Sequence, residues 1–209
     1  LIKEPKLVAD CLSEMQSKTK LPVTVKTRIG YDDVEDYESL FNFIKILKKT
    51  GVKTFVIHSR KAMLGKFTPK QNLNIPPLKY EMVYKLKEDF KDLEIIINGG
   101  ITSPNQIKNH LKKVDGVMIG RSIYHSPYML ADIEKEIFNN NKILSRQEII
   151  ENLIPYVKTE VKKGTRMNQI MRHTLGLFHG QTGSSYWKRY LSENMCVRDA
   201  DIKKIDHIM

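Results

Sequence analysis

The sequence has little cysteine and no long apolar run. Its two cysteines, Cys11 and Cys196, are far apart and in no metal-binding spacing. That is typical of a protein from a reducing cytoplasm and argues against a fold held by disulfides. No apolar run approaches the roughly 18 residues of a membrane span. We therefore expect a cytoplasmic protein with neither a metal site nor a membrane partner.

The charge balance is strongly positive. Lys and Arg number 35 against 24 Asp and Glu, which gives a net charge of +11. Such an excess predicts a polyanionic partner, and a solvated basic surface is an equal alternative. The sequence begins at Leu1 rather than Met, and the residues that follow are amphipathic rather than a signal peptide. We interpret this as a truncated start.

Hydrophobic periodicity predicts strands that alternate with helices. The predicted strands are residues 23–28, 54–58, 94–98 and 116–120, and the predicted helices are residues 5–18, 37–47, 82–90, 104–111 and 128–138. The strands are short and apolar without alternation, which is typical of a parallel sheet covered on both faces. This order indicates an α/β fold, either a doubly wound sheet or a (β/α)8 barrel.

Polar residues at the carboxyl ends of the strands favour the barrel. Lys26, His58, Asn98 and Arg121 each end one of the four strands, where barrel enzymes assemble their sites. For any one of them, a solvent-facing strand end is the alternative. Four βα units are half of a barrel of roughly 250 residues, so residues 1–140 are predicted to form the C-terminal half of a TIM barrel.

The pattern after residue 140 is helical. Residues 153–192 contain seven basic residues and one acidic residue, Glu160. We predict that residues 141–209 form a separate all-α helical domain. Its Tyr186, Trp187 and Tyr190 stand among Lys188 and Arg189, a pattern that suits RNA binding. For Trp187, a place in a helical core is the favoured alternative.

Glycines at the last two strand ends suggest a phosphate site. Asn98-Gly99-Gly100 and Gly120-Arg121 follow the third and fourth strands, and barrels often hold phosphate in the loops after their last two strands. Lys26 and His58 would suit an electron-rich ring such as a reduced flavin. The alternatives are a plain turn for the glycines, a structural ion pair for Lys26 and a satisfied interior imidazole for His58.

Several segments closely resemble the tRNA-dihydrouridine synthases. They are VTVKTRIG at residues 23–30, IHSRKA at 57–62, INGGI at 97–101 and DGVMIGR at 115–121. Further segments resemble the A subfamily, whose target is the D-loop uridine at positions 20 and 20a: IPPL at 75–78, LGLF at 175–178 and WKRYLSEN at 187–194.

The resemblance implies an enzyme that binds flavin mononucleotide (FMN), takes electrons from NADPH, reduces uridine in tRNA to dihydrouridine and is monomeric at full length. It implies that Lys26 and His58 contact the flavin ring. It also implies that Asn98, Gly99, Gly100, Gly120 and Arg121 hold the phosphate end. The family's catalytic cysteine precedes the first helix of this sequence, so we expect no catalytic residue in this chain and no activity from the chain alone.

Basic residues are the predicted tRNA contacts. They are Arg28, Arg60, Lys70, Lys188 and Arg189. Lys70 and Lys188 match contact positions of the A subfamily, whereas Leu73 stands where an arginine is expected and Ser185 occupies another contact position. Two alternatives stay open: another FMN-binding barrel dehydrogenase, which would not need a basic helical tail, and a non-catalytic RNA-binding protein, which would not need Lys26, His58 and the glycine pairs.

Overall fold

A computed structural model describes residues 1–195 of the chain. The chain divides into two compact units, the first formed by Leu1–Ile101 with Asn105–Ile119 and the second by Thr102–Pro104 with the chain from Gly120 onward. The predicted boundary between residues 140 and 141 stays a prediction. Cys196 and the end of the predicted helical domain lie outside the described residues.

The first unit is built from four parallel strands, one helix before them and the helices between them. The strands are β1 Val25–Arg28, β2 Thr54–His58, β3 Glu94–Asn98 and β4 Gly116–Met118, in the spatial order β1-β2-β3-β4. The helices are α1 Pro5–Lys18, α2 Tyr37–Lys48, α3 Pro69–Asn74, α4 Tyr80–Asp89 and α5 Pro104–Leu111. The predicted α/β class and the parallel sheet are confirmed.

One face of this sheet forms the core of the unit. Phe55, Ile57, Ile95 and Ile97 alternate along β2 and β3 and are fully buried, because successive side chains of a strand point to opposite faces. The other face carries Lys26, which is exposed, and Ile96, which is half-buried. Val56 and Asn98 on this second face are 5% and 7% exposed, so within the described residues the prediction of a sheet covered on both faces holds fully for one face and in part for the other.

Helix α1 exposes part of its apolar side. Leu12 is buried, but Leu7 and Met15 are 47% and 53% exposed, and Cys11 between them is exposed. Cys11 thus lies on the apolar side of α1, between Leu7 and Met15, at a part of that side that is exposed. Helical periodicity shows that a helix has an apolar side, whereas the packing of neighbouring elements decides which part of that side is covered.

Helix α3 was not predicted. Thr68 caps it by accepting a hydrogen bond from the Gln71 backbone N–H, Gln71 bonds back to the Thr68 N–H, and Pro69 is at its first position. This Thr-Pro-x-Gln arrangement is a capping box with proline at the helix start. The signal was present in the sequence, although the helix has only six residues.

The second unit is helical in its described part. Its elements are α6 Arg121–His125, α7 Met129–Ile137, α8 Arg146–Lys162, α9 Met167–Met171, a 3₁₀ turn Arg172–Thr174 and α10 Ser184–Met195. Their buried side chains form one core, made of Ile150, Ile154, Val157, Met167, Met171, Leu177, Trp187, Leu191 and Met195.

None of the helices among residues 1–195 is both long and apolar enough to cross a membrane.

Candidate functional site

Three of the predicted site residues lie side by side across the sheet. The register pairs Arg28 of β1 with His58 of β2, His58 with Asn98 of β3, and Asn98 with Met118 of β4. Residues paired in this way point to the same face of a sheet, and neighbouring strands are about 4.8 Å apart. The carboxyl ends of the strands therefore present a continuous polar row on the face that is not the core.

Lys26 lies on the same face, two residues before Arg28. Its side chain is exposed, and its ammonium group is 3.2 Å from the Met118 Sδ atom. Among residues 1–195 Lys26 forms no ion pair with a carboxylate. A structural ion pair was the alternative to a cofactor contact for this residue, and the described structure offers no partner for it.

Asn98 fixes the end of β3. Its side-chain Nδ2 donates a hydrogen bond to the Met118 carbonyl oxygen at 2.7 Å, and its own carbonyl accepts one from the Ser59 N–H at 2.9 Å. These bonds join the carboxyl ends of β2, β3 and β4. Asn98 is buried, and a buried amide is stable only when its polar atoms are paired.

Gly99 and Gly100 then turn the chain away from β3. Both have left-handed backbone angles, with φ of +115° and +70°, which favour glycine. A Cβ atom on Gly99 would be 3.1 Å from His58 Cε1, and one on Gly100 would be 2.4 Å from Leu78 Cδ1. The turn thus needs glycine both for its conformation and for the space that His58 and Leu78 occupy.

Gly120 and Arg121 belong to the second unit. Gly120 is the residue before α6, a Cβ atom on it would meet nothing within 4 Å, and Arg121 begins the helix. The prediction that these two residues contact a phosphate is not tested by these positions and stays a prediction.

Arg28 and Arg60 hold the segment between β2 and α4. The Arg28 guanidinium donates to the carbonyl oxygens of Lys61 and Asn72, at 2.8 and 3.0 Å. Arg60 donates to the carbonyl oxygens of Asn74 and Pro76. Burial, and next the charge of Arg60, lower the pKa of Arg28. Both arginines were predicted to contact tRNA, and sequence reasoning did not foresee these bonds within the chain.

The same segment carries both paired and exposed lysines. Lys61 and Lys79 both lie close to the Glu35 carboxylate, at 3.3 and 3.1 Å, and that carboxylate is 15% exposed. Lys66 and Lys70 are exposed. Lys70, which was predicted to contact tRNA, and Lys66 therefore present their charges to solvent.

Helix α10 separates its aromatic residues into buried and exposed ones. Trp187 is 6% exposed, donates from Nε1 to the Thr174 carbonyl at 3.0 Å and packs against Phe178. Tyr186 is 60% exposed, and the Arg189 guanidinium lies 5.9 Å from the centre of its ring. Trp187 is therefore the core anchor that the alternative proposed, whereas Tyr186, Lys188 and Arg189 form an exposed surface.

Tyr80 is a site residue that sequence reasoning missed. Its hydroxyl donates to the Gly99 carbonyl oxygen at 2.8 Å. It lies 19 positions before Gly99, and no local pattern in the sequence links the two residues. Among residues 1–195, no group of three or more His, Cys, Asp or Glu side chains could hold a metal ion.

Comparisons with known proteins give a consistent result. The profile of the family described as "Dihydrouridine synthase (Dus)" matches residues 1–207. The chain is 47% identical over 201 residues to a tRNA-dihydrouridine(20/20a) synthase of Synechocystis, covering 96% of this chain and 60% of that protein. It is 48% identical over 196 residues to the enzyme of that name from Vibrio parahaemolyticus, covering 93% and 60%.

The chain spans about three fifths of the length of these curated relatives. A solved N-acetylneuraminate lyase from Fusobacterium nucleatum aligns over 91% of this chain and 81% of that one, at 11% identity and a TM-score of 0.28. That score is too low to support an argument about the fold.

Proposed function

The chain belongs to the dihydrouridine synthase family, and from that membership we propose that it is the cofactor-holding and tRNA-docking part of a tRNA-dihydrouridine(20/20a) synthase. In this proposal residues 1–140 are the second half of a flavin-binding TIM barrel. The helical residues after 140 bind tRNA. NADPH is the reductant, and the substrate is uridine in the D-loop of tRNA.

The observation that supports the proposal most directly is the polar row at the carboxyl ends of the strands. Lys26, His58 and Asn98 share one sheet face, and the Gly99–Gly100 turn follows directly. An exposed ammonium group that forms no ion pair with a carboxylate among residues 1–195 suits an electron-rich ring. A glycine turn allows close approach of the backbone to a phosphate. The residues present therefore fit FMN.

The roles of the chain's own residues follow from their chemistry. When bound, reduced FMN would supply a hydride to C6 of uracil, and a separate proton donor would add the proton to C5 that completes the reduction. Lys26 places a fixed positive charge where negative charge accumulates, which lowers the barrier electrostatically. Asn98, Gly99 and Gly100 hold the phosphate end, with Gly120 and Arg121 as further contacts proposed from the family resemblance. No catalytic role is proposed for Cys11, which is exposed in the middle of α1.

The tRNA-docking role is supported by two exposed basic surfaces. One is the pair Lys66 and Lys70 in the segment between β2 and α4. The other is the α10 surface of Tyr186, Lys188 and Arg189. Lysine and arginine bind phosphates, and an exposed tyrosine can stack on a base. A dehydrogenase for a small free pyrimidine would not need either surface.

The proposal is tested by flavin content and hydride transfer in the complete gene product that contains this chain. Lys26→Met keeps the side-chain length and removes the charge. We expect FMN to dissociate more easily or single-turnover reduction of tRNA uridine to slow by roughly tenfold or more. Lys53→Met is the matched control, because Lys53 is exposed at the opposite, amino end of β2. Wild-type protein that retains no FMN would disprove the cofactor assignment. An unchanged Lys26→Met variant would disprove the role of Lys26.

A further inference from the structure

We propose that Tyr80 is a positioning residue that holds the Gly99–Gly100 turn in its phosphate-binding form. The inference rests on the proposed function, because it assigns to this turn the phosphate end of FMN. It adds a residue that lies outside the flavin-contacting motifs of the sequence.

The hydrogen bond from Tyr80 fixes the orientation of one peptide group. Its hydroxyl donates to the Gly99 carbonyl oxygen at 2.8 Å. That carbonyl and the Gly100 N–H belong to the same planar trans peptide group, so they point in opposite directions. By holding the carbonyl, Tyr80 directs the Gly100 N–H away from itself. If this peptide group rotated, the oxygen would point where a phosphate needs a donor.

The turn needs such a restraint because its own residues supply little. Gly99 and Gly100 both have positive φ, and glycine has the greatest backbone freedom of any residue. Gly99 is buried, whereas Gly100 is exposed. A Cβ atom on Gly100 would lie 3.0 Å from the Tyr80 hydroxyl oxygen and 2.4 Å from Leu78 Cδ1. Tyr80 and Leu78 therefore pack directly on the side of Gly100 where another residue would carry its side chain.

Tyr80 is itself held in place. It is the first residue of α4, and the Lys79 N–H just before it donates to the Ser59 carbonyl oxygen after β2, at 2.8 Å. Its ring packs edge-on against the His110 imidazole, with centres 4.6 Å apart and planes at 68°. The hydroxyl therefore projects from a fixed ring toward Gly99.

Tyr84 provides a matched control. It lies one helical turn after Tyr80 and is half-buried in the same way. Its hydroxyl bonds to Nδ1 of His110, at 2.8 Å, instead of to the glycine turn. Tyr80→Phe and Tyr84→Phe each remove one hydroxyl from α4, but only the first removes the bond to Gly99.

The test compares FMN with riboflavin, which has the same ring and no phosphate. Binding is measured by flavin fluorescence in the complete gene product. We expect Tyr80→Phe to weaken FMN binding roughly five- to tenfold, as the loss of one hydrogen bond predicts, and to leave riboflavin binding unchanged. Tyr84→Phe should change neither the FMN affinity nor the riboflavin affinity. Equal losses for both flavins, or no loss of FMN affinity, would overturn the inference.

A second measurement needs no flavin. Hydrogen–deuterium exchange of a peptide that spans residues 98–101 should be faster in Tyr80→Phe than in the wild type and in Tyr84→Phe. Unchanged exchange in Tyr80→Phe would show that Tyr80 does not hold the turn. A third outcome is faster exchange in Tyr80→Phe together with a wild-type protein that binds FMN no more tightly than riboflavin. Tyr80 would then still restrain the turn, but the turn would not bind phosphate. That outcome would overturn the assignment of the turn to phosphate and contradict the proposed function.

Discussion

Arg28 and Arg60 show how two charged residues can order a basic segment through hydrogen bonds to the backbone of the same chain. Each donates to two backbone carbonyl oxygens of the segment between β2 and α4. Asn72 adds bonds from its Nδ2 to the carbonyl oxygens of Met63 and Phe67, at 3.0 and 3.3 Å. Arginine suits this position because its planar group presents several donors in fixed directions.

Replacing Arg28 with lysine should loosen this segment. Lysine keeps the charge but cannot reproduce two directed bonds from one planar group. We expect trypsin to cleave after Lys66 and Lys70 several times faster in Arg28→Lys than in the wild type. Arg166→Lys, at an exposed position of the second unit, is the control. Equal cleavage rates would mean that Arg28 does not order the segment.

His110 makes the stability of the first unit depend on pH. It is 5% exposed, and burial lowers its pKa below the ordinary value of 6.5. The folded state therefore binds a proton less readily than the unfolded state. Its contribution to stability is present above pH 6.5 and is lost as the pH falls through the lowered pKa.

Replacing His110 with glutamine should reduce this dependence. Glutamine does not titrate, and it can still form a hydrogen bond with Tyr84. Urea unfolding between about pH 7 and 5, above the range where most carboxylates titrate, should show a smaller loss of stability in His110→Gln than in the wild type. If the free energy of unfolding fell equally with pH in the two proteins, the loss of stability would be assigned to other histidines.

At the scale of single elements, α10 has a buried side and an exposed side. Trp187 packs into the core of the second unit, and Tyr186 next to it is 60% exposed. Neighbouring residues of a helix point about 100° apart, so one residue can anchor the helix while the next faces a partner. The same separation applies to Lys188 and Arg189, which are exposed.

Two substitutions in α10 should therefore affect different properties, one the stability of the second unit and the other tRNA binding. Trp187→Ala removes a buried ring and a hydrogen bond, and we expect it to destabilise the second unit by roughly 3–5 kcal/mol. Tyr186→Ala should leave the thermal unfolding midpoint nearly unchanged and weaken tRNA binding, because it removes an exposed stacking surface. Calorimetry and filter binding measure the two effects. A large fall in stability for Tyr186→Ala would contradict its assignment to the surface.

At the scale of the whole molecule, the net charge is +11, and the proposed RNA surfaces carry part of it. Lys188→Glu combined with Arg189→Glu should weaken tRNA binding strongly. Because each lost phosphate contact reduces the salt slope by about one, the dependence on salt should also fall. FMN content and NADPH oxidation should persist, since the proposal assigns them to residues 1–140 and not to α10.

A matched control removes the same charge elsewhere. Lys18→Glu with Lys20→Glu changes two exposed lysines at the end of α1 and should lower tRNA affinity only slightly. If both double variants weakened binding equally, overall charge rather than the α10 surface would determine affinity. If neither variant did, the docking role would have to be assigned to another surface.

The sequence alone determined the order of the four strands and of the longer helices up to residue 138, and the residues at the strand ends. Each strand is an apolar run bounded by polar or glycine residues, and each long helix has an apolar side, so both leave a local pattern. Because the carboxyl ends of parallel strands meet at one edge of the sheet, the sequence itself places Lys26, His58 and Asn98 near one another. The family resemblance supplied what those residues would bind.

Only the tertiary structure decided which distant groups meet. The contact between Lys26 and Met118 joins residues 92 positions apart, and that between Tyr80 and Gly99 joins residues 19 positions apart. It also showed that Cys11 is exposed, that Trp187 is buried and that Arg28 and Arg60 bond to carbonyl oxygens of their own chain. Local periodicity records only how a residue relates to its neighbours along the chain. Contacts of this kind depend on strand register and on how loops pack, which are set by the whole fold.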